Sequence, residues 1–200
     1  MNSKKLERGI VITTCDGNEK WLYELLDSIQ EAYDRVIDKV DKYPILVVVN
    51  DCTESILRHK SIAKVICNDW NGWEVGGIAR GAEQFDQFIH LMDTCTVQDY
   101  TLFYNLFEGK QPVMLCDKFY SYLGRYNSKS LKSLGIPVIK TKQDAIWCEH
   151  HWHQEYIMIE GVRLFTPSLP ITTEVFEERH GRTNMVLQNG FITKYKATWK

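Results

Sequence analysis

The sequence predicts an α/β fold: a mostly parallel central sheet flanked by helices, with a C-terminal antiparallel hairpin appendage. Three observations carry this expectation. Two uncharged, β-branched runs, Gly9 to Thr14 (GIVITT) and Ile45 to Val49 (ILVVV), read as strands buried on both faces. Between them Trp21, Leu22, Leu25, Leu26, Ile29, Tyr33, Val36, Ile37 and Val40 recur at helical spacing, so the two strands are joined by a helical crossover and run parallel. Near the C-terminus the texture changes: Tyr156 to Phe165 and Met185 to Tyr195 alternate, and Asn189-Gly190 inside the second run is a hairpin signal.

Taken in order, Cys15 to Asn18 turns the chain after the first strand, and Asn18 or Asp16 can cap the helix that follows. Tyr43-Pro44 closes that helix, and the second strand ends at Asn50-Asp51. Ser55 to Lys60 reads as a short helix or turn and Ala63 to Cys67 as a third strand. Next come a loop with Asn68, Asn71, Gly72, Gly76 and Gly77, then a helix from Ile78 to about Asp93 that turns Phe85, Phe88, Ile89 and Met92 inward. Tyr100 to Phe107 (YTLFYNLF) is predicted as the fourth strand. Phe119 to Leu134 reads as one or two aromatic-rich helical segments broken around Asn127-Ser128, Val138-Ile139 and Ala145 to Cys148 as short strands, Glu149 to His153 as a continuation of the latter, and Glu174 to Arg179 as a polar turn or short helix. No internal repeat or low-complexity tract interrupts the chain, so residues 1–200 are read as one domain.

Composition removes several function classes. A formal charge of −2 gives no footprint for non-specific nucleic-acid binding. No run approaches the length of a membrane-spanning helix, and the charged N-terminus MNSKKLERG is not a signal peptide. The six cysteines are scattered, with no C-x-x-C pair and no zinc spacing, which reads as free thiols in a reducing, cytoplasmic setting.

Where chemistry is concerned, a parallel sheet binds ligands at the carboxyl ends of its strands, and three predicted ends converge there: Thr13 to Asp16, Asn50-Asp51, and the Asn68 to Gly77 loop. Glycines before a helix start can cradle a phosphate; the alternative is that Gly76-Gly77 only packs a helix against the sheet.

These residues resemble a known family. GIVITTCDGNEKWLYELLDSI, ILVVVNDCTE and NDWNGWEVGGIARGAE look like the first strand and helix, the second strand, and the glycine loop and helix of nucleotide-sugar glycosyltransferases of the GT-A (Rossmann-like) fold, family 2. The resemblance covers roughly residues 9–125, the nucleotide-sugar-binding part, leaving 126–200 as the acceptor side and hairpin. It implies that Thr13, Thr14 and Asp16 line the base and ribose of a UDP-sugar or similar donor, that Asp51 contacts the base or ribose, and that Gly76, Gly77 and Arg80 lie near the ribose-phosphate and donor sugar. Asn50, Asn71, Trp73 and Asn105 complete the donor-binding set.

Family members end the fourth strand with Asp-x-Asp, whose carboxylate holds Mn²⁺ or Mg²⁺. The stretch taken as its match, Leu102 to Glu108, has Asn105, a weak ligand for a hard cation. Glu108 is then the substitute, with His151 and His153 as further metal candidates; otherwise Arg80, Lys110, Arg125 or Lys142 meets the phosphate charge without a metal. As a strand, Glu149, His151 and His153 share a face, and Glu149 is the positional match for the base that deprotonates an acceptor hydroxyl; the alternative is a polar edge. Trp70, Trp73, Trp147 and Trp152 pack the core or stack on sugar. The expected function is inverting sugar transfer to a hydroxyl on a glycan, small molecule, protein or modified nucleic acid. The alternative is a non-catalytic nucleotide- or glycan-binding module. Nucleotidyl transfer needs a basic glycine-rich first loop that CDGNEK lacks.

Overall fold

The computed structural model describes residues 6–37, 40–52, 63–108, 113–117, 120–160, 163–165, 175–188 and 190–197. The expected Ser55 to Lys60 helix or turn, Lys110 and Asn189 lie outside the described residues.

Strands β1 (Leu6–Cys15), β2 (Ile45–Asn50), β3 (Lys64–Cys67) and β4 (Phe85–Met92) form the parallel half of a seven-stranded sheet. Three further members are β6 (Val113–Asp117), β7 (Tyr120–Asn127) and β8 (Arg163–Phe165), and the order is β3-β2-β1-β4-β7-β6-β8. Polarity reverses between β4 and β7. A second, antiparallel sheet, β5-β11-β10-β9, contains β5 (Cys95–Val97), β9 (Val175–Arg179), β10 (Arg182–Gln188) and β11 (Ile192–Ala197). The β10–β11 hairpin is the one foreseen; Gly190, with φ +84°, supplies its left-handed residue.

Consecutive residues of the central strands enter opposite cores. Ile10, Ile12, Val47, Val49, Ile89 and Leu91 pack under α1 (Glu19–Asp34) and α3 (Thr101–Glu108). On the other face Val11, Leu46, Val48 and Phe88 pack under α2 (Trp73–Gln84), α4 (Ser128–Leu134) and a helical stretch made of α5 (Lys142–Trp147), a π turn (Cys148–Trp152) and α6 (His153–Glu160). Two-sided burial is why these runs are apolar without alternation.

The same property explains the main corrections. Residues 85–92 are not the end of a helix but strand β4. Phe85, Phe88, Ile89 and Met92 happen to fall at helical spacing, yet Phe88 and Ile89 belong to different cores, as neighbours on a strand must. Tyr100 to Phe107 is not the fourth strand but largely helix α3: Leu102, Phe103, Leu106 and Phe107 are buried while Tyr104 and Asn105 are exposed, a helical period. Residues 120–127 form β7 and only 128–134 are helical; Asn127 accepts the N–H groups of Lys129 and Ser130 as the cap that separates them. Ala145 to His153 is helical rather than extended, because Thr141 and Asp144 form a capping box that starts a helix. Tyr156 to Glu160 continues that helix, Glu174 to Arg179 is largely strand β9, and Val138-Ile139 lies outside any strand.

The antiparallel sheet packs on α1 rather than at the edge of the large sheet. Arg179 lies over the rings of Tyr195 (4.4 Å) and Trp21 (5.7 Å) and pairs with Glu24 at 2.7 Å. Cys52 and Cys67 are joined by a disulfide linking the ends of β2 and β3, in place of two of the expected thiols.

Candidate functional site

Strand register fixes the site. Cys15 pairs with Asn50, Val49 with Cys67, and Thr13 with Met92. By that register Asp16 stands level with Asp51, Asn68 level with Asn50 one residue lower, and Asp93 level with Thr14 one lower again, so the four leave neighbouring strands, about 5 Å apart, as a staggered row. Asp16 and Asp51 are exposed; Asn68 and Asp93 are buried. Asp51 has φ +51° and Trp73 φ +46°, two of three such non-glycine residues among those described, so unfavourable backbone is concentrated at this rim.

Beneath the rim lies a polar floor. Asn68 Nδ2 donates to Asn50 Oδ1 (3.1 Å), Asn50 Nδ2 to the Trp73 carbonyl (2.8 Å), and Arg80 Nε to Asn68 Oδ1 (2.8 Å). Arg80 also pairs with Glu83 at 3.1 Å, which ties it to the α2 side of this floor. The Trp73 N–H donates to Asn71 Oδ1 (3.1 Å). Gly76 and Gly77 are buried inside α2, where a Cβ at Gly76 would lie 2.7 Å from Asn50 Oδ1 and one at Gly77 1.7 Å from Thr13 Oγ1. Their smallness lets the helix touch the sheet, the alternative reading of the pair.

Thr13 turns inward, 2.7 Å from His90 Nε2. His90 stands near Tyr126 and His153; Tyr126 Oη lies 3.4 Å from His153 Nε2, and His153 Nδ1 3.3 Å from Glu74 Oε1. Burial holds both imidazoles neutral, pushing His90 down to about 3 and His153 to about 4.

Thr14 is the link to the residue that the sequence reading missed. Thr14 Oγ1 donates to Asp93 Oδ2 at 2.7 Å and Asn18 Nδ2 donates to the same oxygen at 3.0 Å. Burial raises the Asp93 pKa, while the Thr14 hydroxyl, the charge of Lys194, Asn18 and the Thr94 N–H act to lower it. β4 ends at Met92, so the residues after the fourth strand, where the resemblance expects Asp-x-Asp, are Asp93-Thr94-Cys95 and not the Asn105 region. The available signal was the polar Asp93 directly after the buried run FIHLM. Cys15, half-buried among Asp93, Asp51 and Asp16, has its thiol pushed up to about 11, chiefly by burial, and is no nucleophile at neutral pH.

The metal candidates are not brought together. Glu108 pairs with Arg8 at 2.5 Å, at the opposite end of β1 from the crevice, and Asn105 is exposed on the same helix. His151 is exposed beside Trp147, whereas His153 is buried at the Tyr126 contact. Glu149 lies in the π turn, and its side chain falls outside the described residues. Arg125 donates to the carbonyls of Leu106 (2.8 Å) and Phe107 (3.1 Å) near the end of α3, and Lys142 opens α5. The Mn²⁺ or Mg²⁺ expected from the resemblance does not fit these residues: Asp93 is turned onto Thr14 and Asn18, and the second acidic position is Cys95, a buried thiol pushed up to about 11. No group of three His, Cys, Asp or Glu that could hold a metal occurs among the described residues.

Beside the rim a cavity of about 560 Å³ is lined by Trp70, Asn71, Trp73, Val138, Ile139 and Lys140. Trp70 and Trp73 are half-buried there, Trp147 is exposed, and Trp152 is core.

No family model matches the sequence, and no curated protein matches it significantly. Among solved structures, an active-site mutant of LgtC is similar with a TM-score of 0.52 and 16% identity, over 78% of this chain and 72% of that one. The galactosyltransferase LgtC in complex with donor and acceptor sugar analogs gives 0.51 and 15%, over the same shares. The catalytic domain of Drosophila beta1,4-galactosyltransferase 7 gives 0.49 and 12%, over 84% of this chain and 67% of that one. The likeness to LgtC shows the fold: the chain has the GT-A architecture of nucleotide-diphospho-sugar transferases. Membership of family 2 does not follow from it.

Proposed function

We propose that this protein transfers a sugar from a nucleotide sugar, UDP-linked in the first instance, to an acceptor hydroxyl. The observation that carries the reading is the pair of exposed carboxylates, Asp16 and Asp51, side by side at adjacent parallel strand ends of a GT-A sheet. Carboxylates there can accept hydrogen bonds from a base N–H and from ribose hydroxyls, and the Asn50-Asn68-Trp73 floor holds the rim in place.

In the reaction the acceptor oxygen attacks the anomeric carbon as the carbon–oxygen bond to the diphosphate breaks. The bonding pair leaves with the diphosphate, and the hydroxyl proton passes to a base. We assign the base to Glu149, supported by its place in a π turn, a distortion that often marks functional positions. The cavity walled by Trp70 and Trp73 suits a sugar acceptor, since indole faces stack on sugar C–H bonds. Among the described residues no helix is long and apolar enough to cross a membrane.

A thermal-shift screen of UDP-, GDP- and TDP-sugars tests the binding; no shift with any of them would remove the proposal. Glu149→Gln is expected to abolish turnover and leave donor affinity within about two-fold, because the base acts on the acceptor. The second reading, a binding module without catalysis, is favoured by Cys95 at the second acidic position. Donor hydrolysis that depends on Glu149 would exclude it.

A further inference from the structure

We propose that a diphosphate bound at this crevice is neutralised by the ammonium group of Lys194 instead of a divalent cation. The inference rests on the reading of the crevice as a nucleotide-sugar site and deepens it. Lys194 belongs to the second sheet, not to the part of the chain that resembles a transferase, and β11 carries it to the end of β4 by pairing Lys194 with Cys95. The residue is 9% exposed, and its Nζ donates to Thr94 Oγ1, directly after Asp93.

The chemistry follows from what surrounds it. Lys194 is close enough for its charge to act on Asp93, Cys95 and His90. A hard divalent ion at the strand end would need carboxylate oxygens directed outward; Asp93 Oδ2 accepts from two side chains, and Cys95 presents no oxygen. The ammonium stands beside Thr94 at this strand end, with the same sign of charge as a metal and three proton donors, one of them engaged by Thr94. The exposed Asp16 and Asp51 would repel a diphosphate, which makes a local cation a requirement. Arg182, whose charge acts on Cys15 nearby, is a second cation on the same sheet.

The test is calorimetric titration of the full chain with inorganic pyrophosphate, in EDTA and in Mn²⁺, using wild type, Lys194→Gln, Lys194→Arg and, as a charge control, the exposed Lys132→Gln. Expected are wild-type affinities within two-fold with and without metal, a loss of at least ten-fold in Lys194→Gln, and changes below three-fold in Lys194→Arg and Lys132→Gln. Pyrophosphate that binds only with Mn²⁺, that binds folded Lys194→Gln like wild type, or that does not bind at all overturns the proposal. The metal comparison uses wild type alone, so it stands even if Lys194→Gln fails to fold. Lys194-dependent pyrophosphate binding without any nucleotide-sugar binding would remove the transferase reading and keep this one. Nucleotide-sugar binding that requires Mn²⁺ would do the reverse.

Discussion

Asp51 combines two properties that rarely occur together away from functional sites, an exposed charge and a left-handed backbone at φ +51°. Asn tolerates that backbone nearly as well as Asp, so Asp51→Asn removes the charge and leaves the conformation. The variant is expected to melt like wild type, within about 0.5 kcal/mol. It should bind a nucleotide sugar roughly 10- to 100-fold more weakly, the worth of a charge-assisted hydrogen bond. Titration calorimetry beside a thermal melt reads both; full affinity would take Asp51 out of the donor site. At this scale the sequence was partly legible. Asp16 and Asp51 were found because each directly follows a charge-free strand. Asp93 was not, because FDQFIHLM satisfies a helical period by coincidence and hid the end of a strand.

Helix α2 shows why the glycine pair is easily misjudged. In sequence, Gly76-Gly77 after a strand looks like a phosphate loop; in the fold both residues press α2 onto β1 and β2. Gly77→Ala would drive a methyl group into Thr13 Oγ1 and disturb the Thr13–His90 contact beneath it. A loss of about 2–3 kcal/mol is expected from overpacking and a broken buried hydrogen bond, a fall in melting temperature of roughly 5–10 °C. Thermal denaturation checks it; an unchanged Tm would mean that α2 does not sit this close. The exchange of strand and helix at residues 85–107 had the same origin as the Asp93 error. A central strand buried on both faces has no period of its own, and α3 is too short and too aromatic to declare one. The capping box at Thr141 and Asp144 was readable in TKQD, yet apolar residues after it suggested a strand.

For the whole molecule, His90 and His153 couple the fold to pH. Their native pKa values, about 3 and about 4, lie below the ordinary value near 6.5, so over that interval the unfolded chain binds more protons than the folded one. Stability should be level above pH 6.5 and fall as pH drops toward 4, by up to about 1.4 kcal/mol per pH unit for each imidazole. Denaturant midpoints at pH 7, 6, 5 and 4 measure this, and Met or Gln at position 90 should shrink the slope if it folds. Asp93, whose folded pKa is raised, opposes part of this slope, so the imidazole share is read as the difference between wild type and the position-90 variant; no difference between the two profiles would show that His90 is not held neutral by burial.

The order of the strands along the chain also bears on how the site is assembled during synthesis. β1, β2 and β4 are all in place by residue 92, whereas β5 meets its partner β11 about a hundred residues later. Closing so long a loop is slow. Lys194 therefore reaches the acidic strand ends through a contact about a hundred residues long, and the crevice gains this cation only when β11 docks.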